Sequence, residues 1–373
     1  MAFIDEFKSA PRTAAFVVFF LGQAAIINFS QIVALILKPI NNGSFERFIN
    51  YSQRLFGVLL VAITELFAPS SFVITADPEA ADIFNNTSKD SLKQLSFPDR
   101  IILIANHQIY ADWIYLWCIA YFAKAHDAMK IILKDSLKHV PIFGWVNIYS
   151  MLYFARLLQG MQFFDFIFLR RNWSSDQVHL AQHLNRLSSS ANPLWLILFP
   201  EGTVVSDCTR QKSAKFAAKH DIYNPKNVLL PRSTGMHFCC SQLRKSVDYV
   251  YDLTVGYEGL KQDQIPQIEY TLKSMYFLNK YPRQVHVHVR RFEMSDVPTD
   301  DNEFTSWIRA RWQEKDELME HFYQNGRFPV SEHRKVIDIK MNHFSDLGQI
   351  WLLSIPLIAV SCTIWYFIRN FVF

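Results

Sequence analysis

The sequence predicts an α/β domain with a largely parallel central sheet and flanking helices, together with N- and C-terminal transmembrane or membrane-embedded helices. Short, nearly continuous apolar runs, mostly five to eight residues long, recur between residues 71 and 329, and strands that are covered on both faces have this pattern. Helical patterns separate several of these runs, which is typical of a largely parallel sheet. A long uncharged segment near each end of the chain predicts the membrane helices.

The composition indicates that something other than water covers part of the surface. Half of the 373 residues are hydrophobic, 15% are aromatic and 19% are charged, whereas soluble domains contain about 25% charged residues. The net charge is +4, and the sequence contains no Lys/Arg-rich stripe of the kind that binds nucleic acid. We therefore expect no nucleic-acid partner. An anionic membrane surface or a phosphorylated ligand would suit this charge.

Two uncharged segments are the candidates for spanning a bilayer. Residues 13–37 lie between Arg12 and Lys38 without a charge, and residues 347–368 form a second uncharged run; roughly 20 apolar residues are enough to span. The apolar run 55–64 is too short to cross alone, so we expect an interfacial or re-entrant helix there.

These segments divide the chain into four predicted parts. We expect a membrane helix over residues 1–38, an interfacial or re-entrant segment over 39–70, a globular domain over 71–329, and a linker with a membrane helix over 330–373. Basic residues follow the first span, which favours a cytosolic globular domain by the positive-inside rule, whereas Lys8 and Arg12 before the span favour the opposite orientation. We expect an integral membrane protein, with the endoplasmic reticulum or a related endomembrane as its location.

Four of the predicted strands end directly before a polar cluster. The clusters are Asn106 with His107, Arg170 with Arg171, Glu201 to Thr203, and Arg232 to Gly235. Ligands of open α/β sheets bind in the crevice outside the carboxyl ends of the strands. We therefore expect the four clusters to form one site. By contrast, the pattern of residues 304–323 predicts a long, charged surface helix.

His107 and Asp112 are the candidate catalytic pair. Positions five apart on one helix point about 140° away from each other, so the two side chains meet only if His107 precedes the helix that Asp112 begins. The carboxylate would then fix the imidazole tautomer and leave the other ring nitrogen to take a proton from an alcohol. A satisfied core histidine beside a helix-initial aspartate is the alternative.

The other clusters carry candidate binding residues. Arg171 and Arg232 can clamp a phosphate, Glu201 can accept hydrogen bonds from substrate hydroxyls, and Gly202 allows close approach of a backbone. Exposed arginines and an ordinary turn are the alternatives for these residues. The sequence contains no Gly-x-Ser-x-Gly nucleophile motif, no His-Glu-x-x-His and no phosphate-binding Gly-x4-Gly-Lys, so neither a covalent serine intermediate nor a metal site is predicted.

These clusters resemble the motifs of a known family. "NHQIYAD", "FIFLRR", "FPEGT" and "LLPRSTG" are similar, in this order, to the four motifs of the glycerolipid acyltransferases of the lysophosphatidic-acid type. The runs "SAKFAAK" and "WIRARWQEKDELMEHFY" look most like the branch that contains lysophosphatidylinositol and lysocardiolipin acyltransferases. The resemblance covers residues 101–235 and extends to about residue 323.

The resemblance implies direct acyl transfer from acyl-CoA, as co-substrate, to a lysophospholipid hydroxyl, and lysophosphatidylinositol is the expected acceptor. No cofactor and no metal are expected. His107 would be the base and Asp112 its partner. The acceptor's glycerol phosphate would be held by Arg171, Glu201, Gly202 and Thr203. The chain departs from the wider family at Ile109, Arg170 and Val204, which puts lysophosphatidic acid in doubt as acceptor.

Three other functions remain open from the sequence. The first is an acyltransferase that makes phosphatidic acid. The second is a non-catalytic membrane scaffold with the same fold. The third is a membrane hydrolase that uses His107 against acyl-CoA.

Overall fold

A computed structural model of the protein describes residues 2–85, 94–135, 163–170 and 172–355, with single positions between 358 and 369. Arg171 lies outside these residues, as does most of the predicted C-terminal membrane segment beyond residue 355.

Three helices form the N-terminal part of the chain. They are α1 (Ala2–Ala34), α2 (Leu37–Ile40) and α3 (Asn42–Phe67). The helical residues 10–40 are long and apolar enough to cross a bilayer, and no other helix in the described part of the chain meets this test of length and composition. In this fold α1 packs against α3, and the Gln31 amide donates to the Ser52 hydroxyl at 2.8 Å between them.

The segment predicted to be interfacial is largely enclosed by protein. Residues 55–64 lie within α3 and are all buried, packed against α1 and against α4 (Asp112–Phe122). A helix that is buried on all sides is apolar around its whole circumference, as is a helix that lies in lipid. Because residues 55–64 are covered by other helices, contacts inside the protein explain why this run is apolar.

The described strands form one eight-stranded sheet. They are β1 (Ser71–Ala76), β2 (Arg100–Ala105), β3 (Met129–Lys134), β4 (Ile167–Leu169), β5 (Leu194–Leu198), β6 (Tyr249–Tyr257), β7 (Gln284–Glu293) and β8 (Arg334–Asp338). Their order is β4-β3-β5-β2-β6-β7-β1-β8. Neighbours are parallel except for β6 with β7 and β1 with β8. The fold is thus mixed α/β around one largely parallel sheet, as predicted.

Helices cover both faces of the sheet. The remaining helical elements of the described residues are a 3-10 helix (Pro78–Phe84), α5 (Trp173–Ser189), α6 (Asp207–His220), α7 (Ser233–Leu243), α8 (Pro266–Glu269), a π-helical turn (Lys273–Phe277), α9 (Asp301–Asn325) and α10 (Ser345–Leu352). Alternate residues of β2 belong to different cores: Ile101 and Leu103 pack on the face with α1, α3 and α4, and Ile102 and Ile104 on the face with α5, α7 and α9. This explains why the strands read as continuous apolar runs.

Two segments differ from the predicted organisation. The run "NVLLP", predicted to be a strand, is an irregular loop. Residues 334–338, within the predicted C-terminal linker, form β8, which pairs with β1. β8 is an edge strand with charged, mostly exposed positions, so it lacks the apolar run by which the central strands were found.

Candidate active site

The carboxyl ends of β5, β2 and β6 lie side by side, and Asn106 fixes the chain as it leaves β2. Its side-chain amide donates to the Val255 carbonyl at 2.9 Å, and its amide oxygen accepts from the Val255 N–H at 2.8 Å. The side chain thus continues the pairing of β2 with β6 beyond the end of the strand. This holds the following turn, which carries His107, against β6.

His107 and Asp112 form a hydrogen-bonded pair at this edge of the sheet. The His107 Nδ1 lies 2.8 Å from the Asp112 Oδ2. Asp112 is the first residue of α4 and His107 precedes the helix, which is the arrangement that the spacing requires. Because Nδ1 engages the carboxylate, Nε2 is the nitrogen available to take up a proton.

The Asp112 carboxylate is held by several further donors. The N–H groups of Gln108 and Ile109 donate to it at 2.7 and 3.1 Å, and the Tyr257 hydroxyl donates to its other oxygen. Burial raises the pKa of Tyr257 well above its usual value, so this hydroxyl stays a donor. These bonds fix the carboxylate, which in turn orients the imidazole.

The two side chains of the pair differ in exposure. Asp112 is 2% exposed, whereas the His107 side chain is 19% exposed. The His107 ring stacks on Phe199, with 4.3 Å between the ring centroids.

Glu201 lies beside the pair, after the end of β5. Its Oε1 accepts from the His107 backbone N–H at 3.3 Å and from the Trp312 indole N–H at 3.4 Å. Burial raises the pKa of Glu201 to about 8, and these hydrogen bonds together with the Lys315 charge offset only part of that effect. Glu201 therefore changes its charge close to neutral pH.

Gly202 and Arg232 are in contact at the same edge. Gly202 has a φ of +70°, and a Cβ added there would lie 3.4 Å from the Arg232 Nε. The Arg232 N–H donates to the Pro200 carbonyl at 2.8 Å, and Arg232 directly precedes α7. A positive φ costs glycine little, so this residue suits both the turn and the close approach of the guanidinium. Thr203, the next residue, is partly buried.

The structure therefore brings His107, Asp112, Glu201, Gly202 and Arg232 together. Arg170 is exposed and follows β4, three strands from β2, a separation of roughly 14 Å at the usual strand spacing. Within the described residues, no group of three or more His, Cys, Asp or Glu side chains is placed to hold a metal ion.

Sequence reasoning missed three residues of the site, namely Phe199, Tyr257 and Trp312. Tyr257 ends the strand run "YVYDLTVGY", so the rule that located the four clusters would have found it. Phe199 directly precedes the "PEGT" turn. Trp312 had no such signal, because it reaches Glu201 from α9, more than a hundred residues further along the chain.

Comparisons with known proteins identify the family of the chain. A family model described as "Acyltransferase" matches residues 86–258, and one described as "Acyltransferase C-terminus" matches residues 276–351. The chain belongs to the acyltransferase family. The resemblance noted from the sequence is confirmed, and the protein is a transferase enzyme.

Several named relatives align with most of the chain. A 2-acyl-1-lysophosphatidylinositol acyltransferase from Saccharomyces cerevisiae is 35% identical over 90% of this chain and 90% of its own. An uncharacterized acyltransferase from Schizosaccharomyces pombe is 34% identical over 86% of this chain and 88% of its own. Lysocardiolipin acyltransferase 1 from Mus musculus is 32% identical, covering 74% of this chain and 71% of its own. No solved structure matches the chain significantly.

Proposed function

We propose that this acyltransferase moves a fatty acyl chain from acyl-CoA to the hydroxyl of a lysophospholipid, with lysophosphatidylinositol as the acceptor. The observation that carries the proposal is the His107–Asp112 pair, whose Nδ1 is 2.8 Å from the carboxylate and whose ring is partly exposed at the carboxyl edge of the sheet. A positioned general base contributes roughly 10²- to 10⁴-fold in rate.

The proposed reaction is a direct transfer. The His107 Nε2 takes the proton of the acceptor hydroxyl while the hydroxyl oxygen forms a bond to the thioester carbonyl carbon. The carbon–sulfur bond then breaks, and the leaving CoA thiolate recovers the proton from His107. Asp112 keeps the imidazole in the required tautomer and stabilises its protonated form. No side chain forms a covalent intermediate.

The acceptor's phosphate would bind beside Gly202. The Arg232 guanidinium lies there, and Arg232 precedes the N-terminus of α7, where unpaired N–H groups and the helix dipole favour an anion. Glu201 would accept a hydrogen bond from an acceptor hydroxyl. Arg171 and Thr203 are proposed to contribute to the same subsite. The name of the yeast relative supports lysophosphatidylinositol as the acceptor.

We further propose that the enzyme works at an endomembrane, such as the endoplasmic reticulum, with residues 71–329 as its catalytic domain on the cytosolic side. The apolar helical residues 10–40 support membrane association. Both substrates carry long acyl chains, so a site close to the lipid surface would receive them without passage through water.

The test is the transfer of radiolabelled acyl groups by membranes that contain the wild type or His107→Ala. The acceptors are lysophosphatidylinositol, lysophosphatidic acid and lysocardiolipin, each with acyl-CoA. We expect label in phosphatidylinositol with the wild type and at least about 10²-fold less with the variant. Equal incorporation by both proteins would remove His107 as the base. Label in phosphatidic acid alone would replace the proposed acceptor, and free fatty acid formed without any lysolipid would indicate a hydrolase.

A further inference from the structure

One face of α9 contacts three separate segments of the candidate site. Trp312 donates to Glu201 at 3.4 Å, and the Tyr323 hydroxyl donates to the Gln108 side chain at 3.3 Å. Between them, Asp316 binds the loop that leads to Arg232. Residues four apart on a helix share a face, so these contacts come from a single surface of α9.

Asp316 is a buried carboxylate whose partners all belong to that loop. It is 3% exposed and accepts hydrogen bonds from the Tyr223 hydroxyl at 2.6 Å, the Lys226 N–H at 3.0 Å and the Asn227 N–H at 2.6 Å. The Asn227 amide also donates to the Asp316 carbonyl at 3.2 Å. A buried charge is stable only when it is hydrogen-bonded, so the loop and this carboxylate depend on each other.

The same loop carries the guanidinium of the proposed phosphate subsite. Beyond Asn227 its backbone is attached at three further points. The Leu229 N–H donates to the Glu201 carboxylate, the Leu230 N–H donates to the Ser213 hydroxyl at 3.2 Å, and the Arg232 N–H donates to the Pro200 carbonyl at 2.8 Å. No helix or strand holds residues 221–232. The path of the loop, and with it the place of Arg232, is therefore set by these few side-chain and backbone contacts.

We propose that Asp316 is a positioning residue of the acceptor subsite, which holds the Tyr223–Asn227 segment so that Arg232 stays beside Gly202. The inference rests on the proposed function, because it takes Arg232 as a ligand of the acceptor's phosphate. It also gives the C-terminal region of the chain an indirect part in acceptor binding. The His107–Asp112 pair is held by backbone groups and by Tyr257, and none of these groups bonds Asp316. The Gln108 side chain does reach the loop, because it donates to the Asn227 carbonyl at 3.2 Å.

The first test is the steady-state kinetics of Asp316→Asn with Glu317→Gln as the matched control. An asparagine side chain has one acceptor oxygen in place of two and turns an NH₂ group toward the loop's donors. Loss of hydrogen bonds to a charged group predicts a KM for the lysolipid raised about tenfold. We expect kcat and the KM for acyl-CoA to stay within about twofold of the wild type. Glu317 is exposed on the same helix, and its variant should behave as the wild type.

A second variant removes only one bond and keeps the carboxylate. Tyr223→Phe loses the 2.6 Å hydrogen bond to Asp316, and we expect a smaller rise in the lysolipid KM, about threefold. Equal changes in kcat and in both KM values, in Asp316→Asn and in Tyr223→Phe alike, would mean that Asp316 stabilises the protein generally and would overturn the proposal.

Hydrogen exchange gives a readout that does not need activity. In Asp316→Asn the amides of Lys226 and Asn227 share one neutral acceptor oxygen in place of a carboxylate, so the peptide that contains them should exchange faster while the peptide with His107 does not. Unchanged exchange there would overturn the proposal even if the enzyme were less active. A wild type that acylates none of the lysolipids would instead remove the proposed function, and the exchange experiment would still decide whether Asp316 holds the loop.

Discussion

The Asp112 carboxylate receives a hydrogen bond from each of four groups, and only one of these belongs to the proposed base. Asp112→Asn keeps the size of the side chain but offers a single acceptor oxygen and an NH₂ group. The variant should leave the imidazole in the wrong tautomer or turned away. We expect kcat to fall by about 10³-fold with little change in either KM, measured as acyl transfer at saturating acyl-CoA.

Tyr257→Phe is the matched comparison for Asp112→Asn. It removes one donor to the carboxylate and leaves the histidine contact and both backbone N–H groups in place. The fall in kcat should therefore be about tenfold, the size expected for one hydrogen bond to a charged group. A full rate in Asp112→Asn would show that the carboxylate has no part in orienting the base.

Glu201 makes the stability of the protein depend on pH. Its pKa in the folded protein is about 8, whereas a glutamate in water has an ordinary pKa of 4.5. Between these values the folded state binds more protons than the unfolded state, so stability falls as the pH rises from about 4.5 to 8. Glu201→Gln removes this loss. We expect the variant to be more stable than the wild type by a few kcal/mol at pH 8 and about equal to it at pH 4.5.

Thermal unfolding of the detergent-solubilised protein at several pH values measures this difference. Glu317→Gln, at an exposed position, serves as the control and should follow the wild type throughout. Parallel curves for the wild type and Glu201→Gln would contradict the raised pKa.

The sequence predicts the positions of some residues of the site but not of others. His107, Asp112, Glu201 and Gly202 follow the ends of two strands that lie next to each other, so the strand-end rule was sufficient to bring them together. Arg232 also belongs to the site, although the strand predicted before it is a loop. We propose that its position depends on Asp316, which binds Tyr223, Lys226 and Asn227 of the preceding loop. These contacts join residues 89 to 93 positions apart, so no local pattern contains them.

The helix α9 shows that charged residues in a helical sequence are not always exposed. Residues 304–323 were predicted to form a charged surface helix, and α9 does have an exposed side, but Lys315 and Asp316 are buried. Lys315 Nζ donates to the Asp252 carboxylate at 2.6 Å and to two further groups of β6, the Leu253 carbonyl and the Thr254 hydroxyl. The burial of these charges depends on partners from elsewhere in the chain, which the helical pattern does not reveal.

The ion pair between Lys315 and Asp252 attaches α9 to the sheet, so its loss should lower the free energy of unfolding. Lys315→Ala leaves the fully buried Asp252 carboxylate with Arg290 as its remaining cation, and breaking a buried pair costs about 3 to 5 kcal/mol. We expect a loss of roughly 3 kcal/mol in the free energy of unfolding, measured by thermal or denaturant unfolding. Gln313→Ala, exposed on the same helix, should change little, and an equally stable Lys315→Ala would contradict the role of the pair.

At the scale of the whole molecule, the two faces of the sheet differ. One is covered by α5, α7 and α9, and the other by α1, α3, α4 and α10. α10 packs against α1 and α3, and the Tyr51 hydroxyl donates to Gln349 at 3.3 Å. Large apolar side chains near α10 are exposed, among them Phe344, Trp351 and Leu352. The helices α1, α3 and α10 thus meet on one face, which supports the proposal that this face lies on the membrane side.

The charges beside the first apolar helix support the proposed orientation of the chain in the membrane. Lys38, Arg47 and Arg54 follow this helix, so by the positive-inside rule we propose that the sheet lies in the cytosol. The sequons at Asn42, Asn86 and Asn172 should then stay unmodified, and endoglycosidase H should not change the mobility of the protein. A sequon-bearing extension fused before Met1 should be glycosylated if residues 10–40 span the bilayer, because it would lie in the lumen. An unmodified extension would mean that the helix does not cross, and a modified Asn172 would place the catalytic domain on the opposite side, where cytosolic acyl-CoA could not reach it.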